Sequence, residues 1–300
     1  MTIDYHIPVM LKECIEALEI DGSGVYVDVT FGGGGHSRKI RENLTDGVLV
    51  VFDKDRDASE NVMQDDQVLF VPHDFRYIKK YLRYLDKIPV NGILADLGIS
   101  SHQIDAEGRG FAHRFEGELD MRMDRGAGKT AADVLNEYAE ADLVRILREY
   151  GELKGAYKIA KKVIEYRRTK KIKMVSELKG LLSSMVPGKE ESKFYSKVFQ
   201  ALRIEVNEEL EGLKELLKYG SECLQPGGRF VVLTYHSLED RLVKQFFNTG
   251  NFSGETNKDQ YGNVIKEMDP LFRKPMLPSQ EEIERNSRAR SAKLRVAVKR

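Results

Sequence analysis

Four short, almost continuously apolar runs constrain this chain more than any other feature. They are Val25-Tyr26-Val27-Asp28-Val29, Val48-Leu49-Val50-Val51-Phe52, Val68-Leu69-Phe70-Val71 and Ile93-Leu94-Ala95. A strand with one wet face alternates apolar and polar residues. A run that is apolar throughout and rich in β-branched residues suits a strand covered on both faces of a parallel sheet. Helix-length stretches lie between the runs, among them His36–Asn43 and Ile78–Leu85. The alternation predicts an α/β fold built on a doubly wound sheet.

The alternation then stops. The next clear strand run, Phe230–Tyr235, begins about 130 residues after Asp96, far beyond an ordinary crossover. The gap has helical periodicity. Ile159, Ala160, Val163 and Ile164 form an apolar stripe, with Lys158, Lys161, Lys162 and Arg168 on the other side. Glu208, Leu210, Leu213, Leu216 and Leu217 begin another helical pattern, and Leu294–Val298 reads as a last strand. The expected organisation is one α/β domain from residues 1–111 and 208–300, interrupted by a helical domain over 112–207 that would recognise the substrate.

Composition narrows the classes. The 300 residues are 41% hydrophobic, enough to bury a core, and the 48 basic and 48 acidic side chains cancel. A globally basic nucleic-acid binder is excluded, but local patches are not. Residues 1–110 hold 12 basic and 19 acidic side chains, a net −7, so residues 111–300 carry +7. Nine basic residues against one acid crowd Lys154–Lys173, and seven against none crowd Arg285–Arg300. Both clusters are candidate nucleic-acid surfaces. Two cysteines, Cys14 and Cys223, exclude a disulfide framework, and the six histidines show no ligand spacing, so no metal is expected. No apolar run approaches a membrane span and the N-terminus has no signal-peptide pattern, so a soluble cytoplasmic protein is expected.

The most informative segment is Asp28-Val29-Thr30-Phe31-Gly32-Gly33-Gly34-Gly35-His36-Ser37. It follows the first strand and opens a helix, whose first N–H groups suit a negative group. Asp53 ends the second strand, where an acid accepts from ribose hydroxyls. A nicotinamide dinucleotide and S-adenosylmethionine both fit such a site. The G-x-G-x-x-G fingerprint is absent, because Ser37 and Arg38 stand where its last glycine would fall, which favours S-adenosylmethionine. Phe75 follows the third strand, and Asp96 and Gln103 follow the fourth. Ligands of open α/β sheets bind at the carboxyl ends of strands, so these residues are expected around the same cleft.

Several of these segments, together with others, resemble one family, the bacterial 16S rRNA (cytosine-N4)-methyltransferases called RsmH or MraW. The matching runs are His6–Met10, Thr30–Ser37, Asp96–Ser101, Arg109–Phe111, Leu119–Asp124, Phe199–Ile204, His236–Arg241 and Arg288–Arg295. They occur in family order over nearly the whole chain. The resemblance implies a class I, Rossmann-like methyltransferase with a helical insert. It implies S-adenosylmethionine as methyl donor, with Gly33, Gly34, Gly35, His36, Asp53, Phe75, Asp96 and Gln103 as cofactor residues. It implies as target the N4 amine of a decoding-centre cytidine, in small-subunit rRNA or the assembled 30S subunit. It also places the Leu119–Asp124 run near the active cleft, where a site-closing role is expected of Asp120, Arg122 and Asp124.

The N4 lone pair is delocalised into the cytosine ring, so the amine must be positioned and must lose a proton. Carboxylates accept from cytosine N4–H, which makes Asp96 the expected catalytic residue. Purely cofactor binding is its competing role. Ser237-Leu238-Glu239-Asp240 fits a capping-box helix start, and His236 or Glu239 stands where a target base would be met. Other readings compete: a non-catalytic RNA-binding assembly factor, a DNA or small-molecule methyltransferase, and a divergent paralogue that methylates another nucleic acid.

Overall fold

The computed structural model describes residues 8–100, 103, 108–126, 128–186 and 188–300. The chain divides into two compact units, Met1–Gly98 with Leu210–Arg300, and Ile99–Glu209. The first unit opens with α1 (Leu11–Leu18), β1 (Val25–Asp28), α2 (Gly35–Glu42), β2 (Val48–Phe52), β3 (Val68–Val71), α3 (Ile78–Tyr84) and β4 (Val90–Asp96). The second contains α4 (Ala131–Glu137), α5 (Glu140–Glu149), α6 (Ala156–Arg167), α7 (Val175–Leu182) and α8 (Glu191–Asn207). The chain then continues through α9 (Glu209–Cys223), β5 (Leu224–Thr234), α10 (Ser237–Thr249), β6 (Met268–Pro270), α11 (Gln280–Arg285) and β7 (Lys293–Lys299).

Among the described residues the sheet has seven strands, in the order β3-β2-β1-β4-β5-β7-β6. β1 to β5 pair in parallel, and β7 runs antiparallel to both its neighbours. Side chains alternate between two cores. Tyr26 and Leu94 pack with Cys14, Leu18 and Ile40 of α1 and α2, while Val27 and Ile93 pack with Ile78, Leu82, Leu213, Leu217 and Val243 of α3, α9 and α10. Both faces are therefore covered, as the continuous apolar runs required. Each buried Val or Ile stabilises the fold by roughly 1.5–3 kcal/mol relative to exposure. No described helix is long and apolar enough to cross a membrane.

The insert has its own core. Ile159, Ala160 and Val163 bury the expected stripe of α6, whereas Lys158, Lys161 and Arg168 are exposed. Thr130 and Asp133 close a capping box at the start of α4. Phe111, Leu119, Met121 and Met123 also belong to this core, and Ile99 packs against it, so that this unit runs from Ile99 rather than from residue 112. Asn207, buried at the end of α8, accepts from Met123 N at 2.8 Å and donates to Met121 O at 2.8 Å. It thereby fixes the Met-rich segment by its backbone. β6 has no counterpart among the strands expected from sequence, and β5 starts at Leu224, well before Phe230, with a register shift opposite Val90–Gly92.

Candidate active site

A buried acid organises the glycine loop. Asp28 ends β1 with 1% of its surface exposed. Its Oδ1 accepts from Thr30 N at 3.0 Å and its Oδ2 from Ser37 Oγ at 2.6 Å. Burial raises the carboxyl pKa, and the Ser37 hydrogen bond opposes the rise. Ser37 lies in the first turn of α2, so Asp28 pins both ends of the loop. Between those ends the backbone enters the left-handed region at Gly32 (φ 51°) and Gly34 (φ 72°), conformations costly for any residue with a Cβ. A Cβ on Gly35 would run into Pro8. The loop delivers the N-terminus of α2, where the first N–H groups have no partner within the helix.

Asp53 sits beside this loop. Its Oδ2 accepts from Gly32 N at 2.8 Å and its Oδ1 from Asp55 N at 2.8 Å. Enclosure of the carboxyl raises its pKa to about 6, against those two backbone donors. The residue keeps part of its surface open. An acid of this kind gains from further hydroxyl donors, which favour its ionised form.

Asp96 ends β4, and three elements converge on it. Thr30 Oγ1 accepts from its backbone N–H at 2.7 Å. Tyr235, which follows β5, donates its phenolic O–H to Asp96 Oδ1 at 2.6 Å. His36 Nδ1, from the first turn of α2, is 3.7 Å from Asp96 Oδ2. His36 Nε2 lies 3.0 Å from Val9 O. A carbonyl only accepts, so Nε2 carries a proton and Nδ1 is the nitrogen turned towards Asp96. Burial raises the Asp96 pKa, and His36 and the Tyr235 hydroxyl oppose it. Burial, and then Asp96 itself, push Tyr235 well above the usual phenol range, so it remains a donor. Asp96 keeps 18% of its side chain exposed, which leaves the carboxylate reachable.

The segment after Tyr235 caps a helix. Glu239, 3% exposed, accepts from Tyr235 N at 2.8 Å and His236 N at 3.3 Å. The cap residue is His236, in extended conformation, and its Nδ1 accepts from Glu239 N at 3.4 Å. Ser237, which the sequence pattern nominates, is instead the first helical residue. Glu239 Oε2 thus fixes the backbone around Tyr235, while Oε1 lies 3.1 Å from His236 Nε2.

The expected residues fall in several places. Asp96 and His36 meet, and Gly33, Gly34 and Gly35 lead into His36. Asp53 holds the Gly32 end of the same loop. Phe75, half-buried after β3, follows Asp74, whose carboxylate pairs with Lys54 at 3.2 Å. Gln103 lies in the other unit, where its Oε1 accepts from Ser100 N at 3.1 Å. In that unit Arg122 also grips Asp120 side-on, donating from Nε to Oδ1 at 2.7 Å and from Nη2 to Oδ2 at 3.0 Å. The run expected to close a site thus spends Asp120 and Arg122 on each other. His6, Ile7 and Ser101, parts of the matching runs, lie outside the described residues. Sequence reasoning missed Tyr235, since an aromatic at a strand end reads as core.

The two basic clusters differ. Arg167 donates to Leu135 O at 2.9 Å and is committed to the insert's fold. Lys158, Lys161, Arg168 and Lys171 are exposed. In the C-terminal cluster, Lys293 and Arg295 pair with Asp240, Lys299 with Glu267, and Arg300 with Asp269. Those four cations are engaged within the fold, whereas Arg285 and Arg290 of the same cluster are exposed.

The model of the MraW methylase family matches residues 4–300. A ribosomal RNA small subunit methyltransferase H from Cytophaga hutchinsonii is 52% identical over 295 residues, covering 98% of this chain and 99% of that one. Its counterpart from Bacteroides fragilis is 50% identical over 296 residues, covering 98% and 97%. Among solved structures, an rRNA methylase from Streptococcus thermophilus superposes with a TM-score of 0.42 at 11% identity, covering 96% of this chain and 93% of that one.

The Tyr235–Asp96 hydrogen bond can be tested apart from any ligand. The phenol stabilises the ionised carboxylate, so its loss costs most where Asp96 is charged. Tyr235→Phe is expected to lower unfolding free energy by about 1.5–3 kcal/mol at pH 8, the range for hydrogen bonds to charged groups. The loss should shrink at pH 5, where the raised pKa of Asp96 leaves less of it ionised. Urea unfolding at the two pH values reads the difference. An equal loss at both would mean that the tyrosine contributes packing alone.

Proposed function

The chain belongs to the MraW methylase family, and from that premise we propose that it methylates the exocyclic N4 amine of a decoding-centre cytidine in small-subunit rRNA. S-adenosylmethionine is its methyl donor. The observation that carries the reading is the reachable Asp96 carboxylate, oriented by Tyr235 and facing His36, at the end of the strand beside the glycine loop.

The residues present fit the donor. The α2 N-terminus suits its amino-acid carboxylate, and the Asp53 carboxyl suits its ribose hydroxyls. Phe75 and Gln103 are assigned to it by the same reading. When bound, S-adenosylmethionine supplies an electrophilic methyl group. The chain's own residues do the rest. Asp96 accepts a hydrogen bond from the N4–H of cytosine, orients the amine and takes its proton. Tyr235 holds Oδ1, so that Oδ2 is the oxygen left for that contact and for His36. Lys158 and Lys161 on the open face of α6, with Arg168 at its C-cap, are suited to rRNA phosphates. The insert accordingly recognises the substrate, in free rRNA or an assembled 30S subunit, and the protein works in the cytoplasm.

Asp53 sets a pH dependence for the donor. Its pKa of about 6 lies above the unfolded value of 3.8. Its contribution to stability is therefore full below pH 3.8 and is lost as pH rises towards 6. Ribose hydroxyls favour the ionised form, so donor affinity should rise with pH and level off above 7. At pH 5, one unit below the pKa, affinity should be about tenfold weaker. Asp53→Asn should bind weakly with that step removed. Calorimetry at pH 5, 6 and 7.5 makes the comparison, and a wild-type affinity independent of pH would contradict the assignment.

Asp96→Asn separates proton transfer from donor binding. The amide keeps the shape and an accepting oxygen, so donor affinity should fall modestly. Single-turnover methyl transfer at saturating S-adenosylmethionine should fall by about 10²–10⁴. An intact saturated rate would leave Asp96 as a cofactor ligand only.

A further inference from the structure

Beyond β6 the chain leaves the sheet edge and returns to it. Leu271 N donates to Val296 O at 2.9 Å, and Met276 exchanges both backbone hydrogen bonds with Leu294, each at 2.9 Å. On β7, Arg295 alone separates Val296 from Leu294. On the edge, Phe272-Arg273-Lys274-Pro275 separates Leu271 from Met276. Four residues are therefore extruded where the partner strand spends one.

The extrusion is aromatic and basic. Phe272 is 45% exposed, Leu271 is 42% and Leu277 is 64%. Arg273 and Lys274 are exposed, and among the described residues they make no ion pair or side-chain hydrogen bond. Glu267 and Asp269 of the same sheet edge are occupied by Lys299 and Arg300, and Asp240 of α10 by Lys293 and Arg295. Edge strands are commonly guarded by prolines and charges. That accounts for Pro270, Pro275 and the two cations. It does not account for Phe272, Leu271 and Leu277, whose exposure works against such a guard.

Register ties this extrusion to the site. Asp96 pairs with Leu233, Leu233 with Leu294, and Leu294 with Met276. Met276 therefore lies in the transverse row of Asp96, three strand spacings away, or about 14 Å. β6 also runs in the direction of β4 and β5, so the chain emerges from it at the carboxyl edge that carries Asp96 and Tyr235. A ring that can stack on a base, next to two unpaired cations, is the pairing used to hold single-stranded nucleic acid. We propose that Phe272, Arg273 and Lys274 form a second RNA contact, which grips single-stranded rRNA flanking the target nucleotide. The proposal rests on the rRNA methyltransferase reading above.

The test compares wild type, Phe272→Ala, Phe272→Trp and the double variant R273A/K274A, as full-length protein. The probe is small ribosomal subunits from cells lacking this gene, with labelled S-adenosylmethionine. Phe272→Ala should raise KM for the subunits by about 5- to 100-fold, and Phe272→Trp should restore it. R273A/K274A should raise KM and flatten its salt dependence by roughly 0.7 log units for each phosphate left unneutralised. Donor affinity by calorimetry and kcat should stay at wild-type values in every variant. In addition, a photoreactive benzoylphenylalanine at position 272 should crosslink to a nucleotide. A wild-type KM and salt slope in the alanine variants would overturn the proposal, as would a crosslink to a ribosomal protein. Wild-type protein that transfers no methyl to the subunits would refute the rRNA reading itself.

Discussion

Everything in the candidate site depends on one carboxylate placed where water cannot reach it. Burying an ion costs several kcal/mol unless its lone pairs are used, and Asp28 uses them on the two ends of the glycine loop, at Thr30 and Ser37. The loop between can then take its left-handed turns and present α2. Thr30, held by Asp28, in turn accepts the backbone N–H of Asp96. The reachable acid is thus located by the buried one. Had the loop been held only by its own turns, four consecutive glycines would leave it poorly ordered.

The same economy operates on the other side of Asp96. Glu239 fixes the backbone around Tyr235, and Tyr235 fixes Oδ1 of Asp96. Glu239 thus holds a helix cap, and Tyr235, which reads as core in the sequence, holds the Asp96 carboxylate. The Asp96 carboxylate keeps part of its surface exposed beside His36, whose proton is assigned by Val9 O. Parallel pairing of β1, β4 and β5 brings these groups together, because it places all three strand ends on one edge of the sheet.

How much of this is legible in the sequence follows from which signals are local. Val48–Phe52 and Val68–Val71 coincide with β2 and β3, since strands buried on both faces write their burial into consecutive residues. Gly32–Ser37 and Asp53 announce themselves by backbone freedom and by their place after strands. β6 leaves no such trace, being three residues long, ending in Pro270 and held at an edge. The insert starts earlier than expected because Phe111 looks like a continuation of the sheet domain but packs in the other core. Arg167 and Arg295 look like nucleic-acid contacts by composition, which counts charges and does not see the Leu135 carbonyl or the Asp240 carboxylate that engages them.

The most direct measurement of the central claim is mass mapping of small-subunit rRNA nucleosides from cells with and without this gene. The account predicts that one N4-methylated cytidine in the decoding-centre fragment loses the mass of one methyl group on deletion, and that purified protein with S-adenosylmethionine restores it. An rRNA whose every fragment keeps its mass in the deleted cells would contradict the account.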